Sequence, residues 1–162
     1  MDDLDHILVK PSLFDRLLDE NFNQPTDPVQ DRAQSIRQLK RSVLRDLENL
    51  FNSRNALAGL DADFTEVRRS VASYGLPDFS QYNIRNPREL LRLTRTIESC
   101  VRDFEPRLSE VEVQAVPLKK GSHRTLRFEI DAKLRVDPID EPVRFDMELQ
   151  LNRQECRMLS TV

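Results

Sequence analysis

Residues 126–136 read LRFEIDAKLRV, an unbroken alternation of apolar and charged side chains. Residues 143–151 continue the pattern as VRFDMELQL, and residues 111–115 show it more briefly as VEVQA. A period of two is typical of antiparallel strands that face a core on one side and water on the other. Gly121 and Pro138 lie in the two connecting segments, where they favour turns. This half of the chain therefore predicts a three-stranded antiparallel meander.

The segment before these strands has a helical period instead. Between residues 29 and 54, apolar side chains recur at steps of three and four, which predicts a long amphipathic helix. A shorter helix is predicted at residues 64–74, with Gly75 as its left-handed stop. Asn86 is a good N-cap, so another helix is predicted to begin after it and to end before Pro106. The predicted fold class is α+β, with N-terminal helices followed by a three-stranded antiparallel sheet whose one face is covered by helices.

The composition excludes several kinds of site. The chain has 162 residues, enough for one domain with a sizeable core, but only three glycines and no tryptophan. Phosphate-cradling loops need several glycines close together, so nucleotide chemistry is not expected. Two histidines and two cysteines do not fill a four-ligand zinc site at a recognisable spacing. Cys100 follows the apolar pattern and is expected to be a small core residue rather than half of a Cys–His dyad.

Charge and hydropathy favour a protein that works with other proteins. The net charge of −3 argues against general nucleic-acid binding. No stretch approaches the ~20 apolar residues of a membrane span, so we expect a reduced, cytoplasmic protein without direct membrane insertion. Arginine supplies 20 of the 25 basic residues, which suits bidentate contacts at protein interfaces. Codon usage in a GC-rich genome accounts for that excess equally well.

The beginning of the sequence differs from the rest in charge. Residues 1–31 hold eight acidic and two basic side chains. Residues 13–18 have the small apolar face of a short helix, and a proline-containing loop follows. We predict an acidic docking segment at residues 1–30 and a single α+β domain at residues 31–162. The alternative is that the segment packs on its own domain.

The predicted sheet has two edges, and the sequence leaves open whether they are protected or used for binding. Alternating charges on the outer face protect an edge against unwanted pairing. The other interpretation is that an edge accepts a strand from a partner and gains affinity from backbone hydrogen bonds.

Among the carboxylates, Glu105 is the best candidate for acid–base chemistry because it lies at a helix end among apolar neighbours. A glycoside hydrolase needs two carboxyl groups roughly 5–10 Å apart, one of which donates a proton. Arg107 lies two residues away, and pairing with it would keep Glu105 ionised, which is wrong for a general acid. A peptidoglycan-cleaving hydrolase is therefore the second hypothesis.

Three segments carry a family resemblance. Residues 41–54 read RSVLRDLENLFNSR, residues 74–79 read YGLPDF, and residues 104–108 read FEPRL. In this order and at these separations they resemble the phage baseplate wedge family, once labelled "lysozyme-like", which has a bacterial branch in the type VI secretion baseplate. The resemblance extends from about residue 30 onward and leaves the acidic segment outside.

The resemblance implies a structural protein and no enzyme. Family members join the baseplate wedge to the contractile sheath, and their fold is similar to the strand-exchanging domain of the sheath subunits. The implied partners are other wedge subunits and sheath subunits, with no nucleic acid, cofactor, metal or small-molecule substrate. By this likeness the sheet accepts sheath strands and templates sheath polymerisation.

The family signature Glu-Pro-Arg corresponds to Glu105, Pro106 and Arg107. Pro106 is expected to fix the turn from helix to strand. Glu105 and Arg107 are expected to make polar contacts that orient the sheet or its incoming strands, with a purely local salt bridge as the alternative. The expected partner-binding residues are these three together with alternating residues of the strands, namely Val111, Val113, Phe128, Ile130, Phe145 and Met147.

Overall fold

The computed structural model describes residues 32–55, 57, 63–68, 70–79, 82–83, 86–116, 125–153 and 155–161. The predicted docking segment, the short helix within it and both histidines lie outside the described residues. All statements below concern the described part of the chain.

Two long helices and a short one precede the sheet. They are α1 (Arg32–Asn52), α2 (Thr65–Arg68) and α3 (Pro87–Phe104), with a 3-10 turn at Val71–Ser73 between α2 and α3. The predicted start of α3 is confirmed, because the Asn86 side chain accepts a hydrogen bond from the backbone N–H of Arg88 at 3.0 Å. Its predicted end is confirmed as well, since Phe104 is the last helical residue before Glu105 and Pro106.

The helix predicted at residues 64–74 is shorter than expected. The Ser70 hydroxyl donates to the Val67 carbonyl at 2.7 Å and accepts from the Ala72 N–H at 3.3 Å, so it competes with helical hydrogen bonds. Gly75 has a φ of 101°. A Cβ at this position would lie 2.3 Å from the Ser53 carbonyl oxygen, so glycine is required where the turn passes the end of α1.

The sheet has four strands, so the prediction of three was wrong. The strands are β1 (Leu108–Val116), β2 (Thr125–Leu134), β3 (Glu141–Gln150) and β4 (Glu155–Thr161), antiparallel and in sequential order. The missed strand is β4, where Cys156 and Met158 are buried but a register shift at Leu159 breaks the alternation. The α+β class is confirmed. Because β4 covers β3, the edges of the sheet are β1 and β4.

The core lies between the helices and one face of the sheet. α1 packs over β4, and α3 packs over β1. Phe51, Phe128 and Phe145 are the largest fully buried side chains. Cys100 is buried in this core, as predicted, and its thiol lies 3.5 Å from the Gly75 carbonyl oxygen. No helix in the described residues is long and apolar enough to cross a membrane.

Burial of the two cysteines predicts a loss of stability in alkaline solution. Burial raises the pKa of the Cys100 thiol from 9.0 to about 12, and it also raises the pKa of Cys156. Above pH 9 the unfolded chain therefore releases thiol protons that the folded chain keeps. The free energy of unfolding is expected to fall by up to ~1.4 kcal/mol per pH unit for each cysteine.

Urea unfolding between pH 7 and pH 11 measures this slope. The matched control is the Cys100→Ala/Cys156→Ala variant, which keeps every other titrating group and is expected to show a shallower decline. Parallel profiles for the two proteins would contradict the assignment.

Candidate functional site

The Glu-Pro-Arg signature forms the connection between α3 and β1. Glu105 caps the helix, and its backbone N–H donates to the Val101 carbonyl at 2.8 Å. The N–H of Leu108, the first residue of β1, donates to the Glu105 carbonyl at 3.1 Å. Pro106 is exposed at the tip of this turn, where its ring prevents the helix from continuing. The expectation that Pro106 sets the turn from helix to strand agrees with this geometry.

Glu105 and Arg107 form a bidentate salt bridge. The Arg107 Nε lies 2.7 Å from Glu105 Oε1, and the Arg107 Nη2 lies 2.5 Å from Glu105 Oε2. The backbone N–H of Arg107 also donates to Oε1 at 3.2 Å. The Glu105 side chain is only 5% exposed, so its negative charge depends on this partner. The local salt bridge between Glu105 and Arg107, which was the alternative expected from the sequence, is therefore present.

The same guanidinium reaches α1. The Arg107 Nη2 lies 2.6 Å from Asp46 Oδ2, and its Nη1 lies 3.4 Å from the Ser42 hydroxyl. Arg45 holds the other Asp46 oxygen at 3.1 Å. On the opposite side, the Arg107 carbonyl accepts from the Arg135 N–H at 2.9 Å, just beyond β2. Arg107 thus connects both long helices to the first two strands.

The electrostatics of this cluster stabilise the charged form of Arg107. Hydrogen bonding to Glu105 is the largest effect on the pKa of Arg107 and raises it, burial opposes this increase, and Asp46 adds a smaller increase. Both carboxylate oxygens of Glu105 accept hydrogen bonds from Arg107. A carboxylate that accepts two hydrogen bonds from one guanidinium fixes the position of the chain at this turn.

An open cleft of about 390 Å³ lies beside the salt bridge. Its walls are formed by the two long helices and the turn between α3 and β1. The Tyr74 and Phe104 rings meet edge to face within it, with centroids 5.4 Å apart and an interplanar angle of 77°. The lining residues are Asp46, Leu50, Tyr74, Phe104, Glu105, Pro106 and Arg107.

The strand residues expected to bind partners lie mostly in the core. Phe128, Ile130, Phe145 and Met147 lie on the inner strands β2 and β3 and are fully buried in the core between the sheet and the helices. Val113 is also buried, whereas Val111 is half-buried near the free edge of β1. In this fold the four inner-strand residues stabilise the sheet and present no surface to a partner.

Two side chains that make long-range contacts were not predicted from the sequence. Asp46 lies within the family-like segment 41–54, but nothing in the sequence marks it as the partner of Arg107. Asn52, the last residue of α1, donates to the Cys156 carbonyl and accepts from the Cys156 N–H, both at 2.8 Å. A sequence separation of 104 residues leaves no local signal for this contact.

A comparison with models of known protein families identifies the family of this chain. The family model described as baseplate wedge protein gp25 matches residues 37–139, which contain all three of the family-like segments. The chain belongs to this family. The gp25 match confirms the resemblance, and it contains most of α1, all of α3, β1 and β2, and the complete Glu-Pro-Arg signature.

Two further proteins are similar to this gp25-family chain. The anti-adapter protein IraD of Salmonella paratyphi A (strain ATCC 9150 / SARB42) is 28% identical over 136 residues, which are 84% of this chain and 87% of IraD. A chain of a solved structure, the baseplate complex from the type VI secretion system, is 18% identical with a TM-score of 0.49. That likeness covers 70% of this chain and 96% of the other.

The salt-bridge cluster predicts a graded effect of substitutions on stability. Arg107→Ala leaves the buried Glu105 charge unpaired and is expected to lower the free energy of unfolding by about 3–5 kcal/mol. Asp46→Ala removes a partly exposed pair and is expected to cost ~1 kcal/mol. The matched control is Arg102→Ala, which breaks an exposed Arg–Glu pair with Glu98 and is expected to change little.

Urea unfolding of the three variants measures these differences. Replacing both partners, as Glu105→Leu/Arg107→Met, is expected to recover most of the loss, because no buried charge then remains. An Arg107→Ala effect no larger than that of Arg102→Ala would refute the anchoring role of Arg107.

Proposed function

We propose that this chain is a structural subunit of a contractile apparatus, the TssE subunit of a type VI secretion baseplate, which joins the wedge to the sheath. The observation that carries the proposal is membership of the gp25 baseplate wedge family, with the match spanning residues 37–139. The site supports it because a charged cluster ties the helices to the sheet and forms a rigid unit for assembly. The protein acts in the cytoplasm and reaches the membrane only through the assembly.

The sheet is the proposed contact with the sheath. An antiparallel sheet with free outer strands extends by accepting a strand, and the new backbone hydrogen bonds provide affinity. Sheath subunits are the proposed donors, and the first sheath ring formed in this way templates polymerisation. The buried residues of β2 and β3 keep the sheet in shape while the outer strands make the contact.

The turn at Pro106 is the proposed contact with the wedge. Pro106 is exposed and Arg107 is partly exposed beside the open cleft, so both are accessible to another baseplate subunit. Glu105 contributes indirectly, because it holds Arg107 in place. The acidic residues 1–30 are proposed as an additional docking segment for a partner.

A second candidate function follows from the likeness to IraD. That similarity extends over 84% of this chain, and the name of IraD describes a protein that acts against an adapter. If this chain works in that way, its partner is an adapter protein and no baseplate is involved. The proteins that co-purify with the full chain distinguish the two candidates.

The second hypothesis from the sequence, that this chain is a peptidoglycan hydrolase, has a direct test. Purified protein is added to cell walls and turbidity is followed. Clearing that disappears in Glu105→Gln would support hydrolysis, whereas unchanged turbidity agrees with a structural role.

Deletion of the gene tests the main proposal. In a bacterium that carries a fluorescent sheath subunit, we expect sheaths to be absent after deletion and to return when the wild-type chain is expressed. Secretion is measured in the same strains. Normal sheath assembly without the chain would contradict the proposal, and recovery of an adapter protein with the chain would favour the second candidate.

A surface variant tests the proposed contact at Pro106. Pro106→Glu places a charge on the exposed turn without removing a member of the salt bridge, so it is expected to abolish co-purification with wedge subunits. The fold is expected to lose no more than about 1 kcal/mol, the usual range for a proline replaced in a turn. The matched control is Ile139→Glu in the exposed turn between β2 and β3, which is expected to keep the wedge subunits bound. Equal co-purification with both variants would argue against this contact.

A further inference from the structure

We infer that the two edges of the sheet are not equivalent: β4 is closed by Asn52, and β1 is the edge that accepts a partner strand. This inference rests on the proposed strand acceptance and names the site at which it occurs. It also specifies the chemistry of the incoming strand.

At Cys156 the edge of β4 is occupied by a side chain that makes the hydrogen bonds of a neighbouring strand. The Asn52 amide makes two hydrogen bonds to Cys156, one to its N–H and one to its carbonyl, each 2.8 Å long. A neighbouring strand in an antiparallel sheet exchanges the same pair of bonds with a residue opposite it. Asn52 is the last residue of α1, which packs over β4 and keeps the amide in this position. A strand approaching β4 would have to displace it.

The edge of β1 has free backbone groups at defined positions. The Arg135 N–H donates to the Arg107 carbonyl, so the backbone of Arg135 points towards the first strand. Backbone direction alternates along a strand, and therefore Asp131 and Glu129 also point towards β1. Their partners are Glu112 and Gln114.

It follows that the backbones of Val113 and Ala115, the alternate residues of β1, point away from the sheet. Within the described residues, their N–H and carbonyl groups have no hydrogen-bond partner on that side. A strand that pairs with this edge would satisfy both residues.

A β-bulge limits the accepting stretch. The register between β1 and β2 shifts between Ser109 and Glu112, and Glu110 within the bulge has a φ of 49°. Bulges twist an edge and interrupt pairing. The regular part of the free edge is therefore residues 112–116, which is long enough for a short incoming strand.

The side chains around this edge define the partner. On the outer face, Glu112 lies opposite another acid, Asp131, whose carboxylate is bound by Arg144 at 2.6 Å. Two acids opposite each other are unfavourable, so a basic side chain on the incoming strand would be stabilised beside Glu112. On the core face, Val113 and Ala115 favour apolar neighbours. The partner segment is thus an extended strand that alternates apolar residues with lysine or arginine.

Site-specific photo-cross-linking tests the choice of edge. A photoreactive residue replaces Gln114 on β1 or Arg157 on β4 in the full chain, and both positions are exposed. The probe is the sheath subunit of the same secretion apparatus, with the cross-linked peptide identified by mass spectrometry. We expect a cross-link from position 114 to an alternating apolar and basic segment of the sheath subunit, and none from position 157.

Ala115→Pro provides the decisive variant. It removes an outward-facing N–H without breaking a bond to β2, so the chain keeps its fold, as prolines do at strand edges. The cross-link from position 114 is expected to fall about tenfold, since one hydrogen bond is lost and the ring obstructs pairing. The matched control Ala115→Ser keeps the N–H and is expected to cross-link like the wild type.

The outcomes separate the two levels of the proposal. A sheath cross-link from position 157 that is insensitive to Ala115→Pro would overturn the assignment of the edge and leave strand acceptance intact. Absence of a sheath cross-link from both positions, in cells that assemble sheaths, would overturn strand acceptance itself. Equal cross-linking by the proline and serine variants would overturn the role of the outward N–H.

Discussion

The architecture depends on the buried carboxylate of Glu105 and the guanidinium that neutralises it. A charge with 5% exposure is tolerated only when a partner of fixed geometry accompanies it. Arg107 is two residues away on the other side of Pro106, so the pair can form only when the turn from α3 into β1 has its observed shape. Asp46 then fixes α1 relative to that turn through the same guanidinium. One charged group therefore sets the relative position of both helices and the first strand of the sheet.

The fourth strand changes the interpretation of the sheet. With three strands, β3 would be an edge and its apolar residues would lie within reach of a partner. With β4 present, Phe145 and Met147 are enclosed, and the outer strands differ in character. β4 is held by the end of α1, whereas β1 follows directly from the salt-bridged turn. The group that anchors the helices is therefore also the group that positions the open edge.

The sequence predicts those features of the fold that depend on local chemistry. The alternation in residues 126–136 and 143–151 identifies β2 and β3. Asn86 marks the start of α3 and Pro106 marks its end, because helix capping and proline act over only a few residues. The Glu105–Arg107 pair was foreseen as one alternative since the two are neighbours. β4 was missed because only Cys156 and Met158 point inward before the register shifts. Asp46 and Asn52 bind residues 61 and 104 positions away, and such contacts arise only when the elements pack.

Charge is divided between the two layers of the molecule. The two long helices carry nine basic and five acidic side chains, whereas the four strands carry four basic and eight acidic ones. Since the helices cover one face of the sheet, the excess of acid lies on the strands and the excess of base lies on the opposite layer. In the proposed strand pairing, this division of charge draws a basic extended segment to the sheet and away from the helices. A net charge of only −3 is therefore compatible with a strong separation of charge between the two layers.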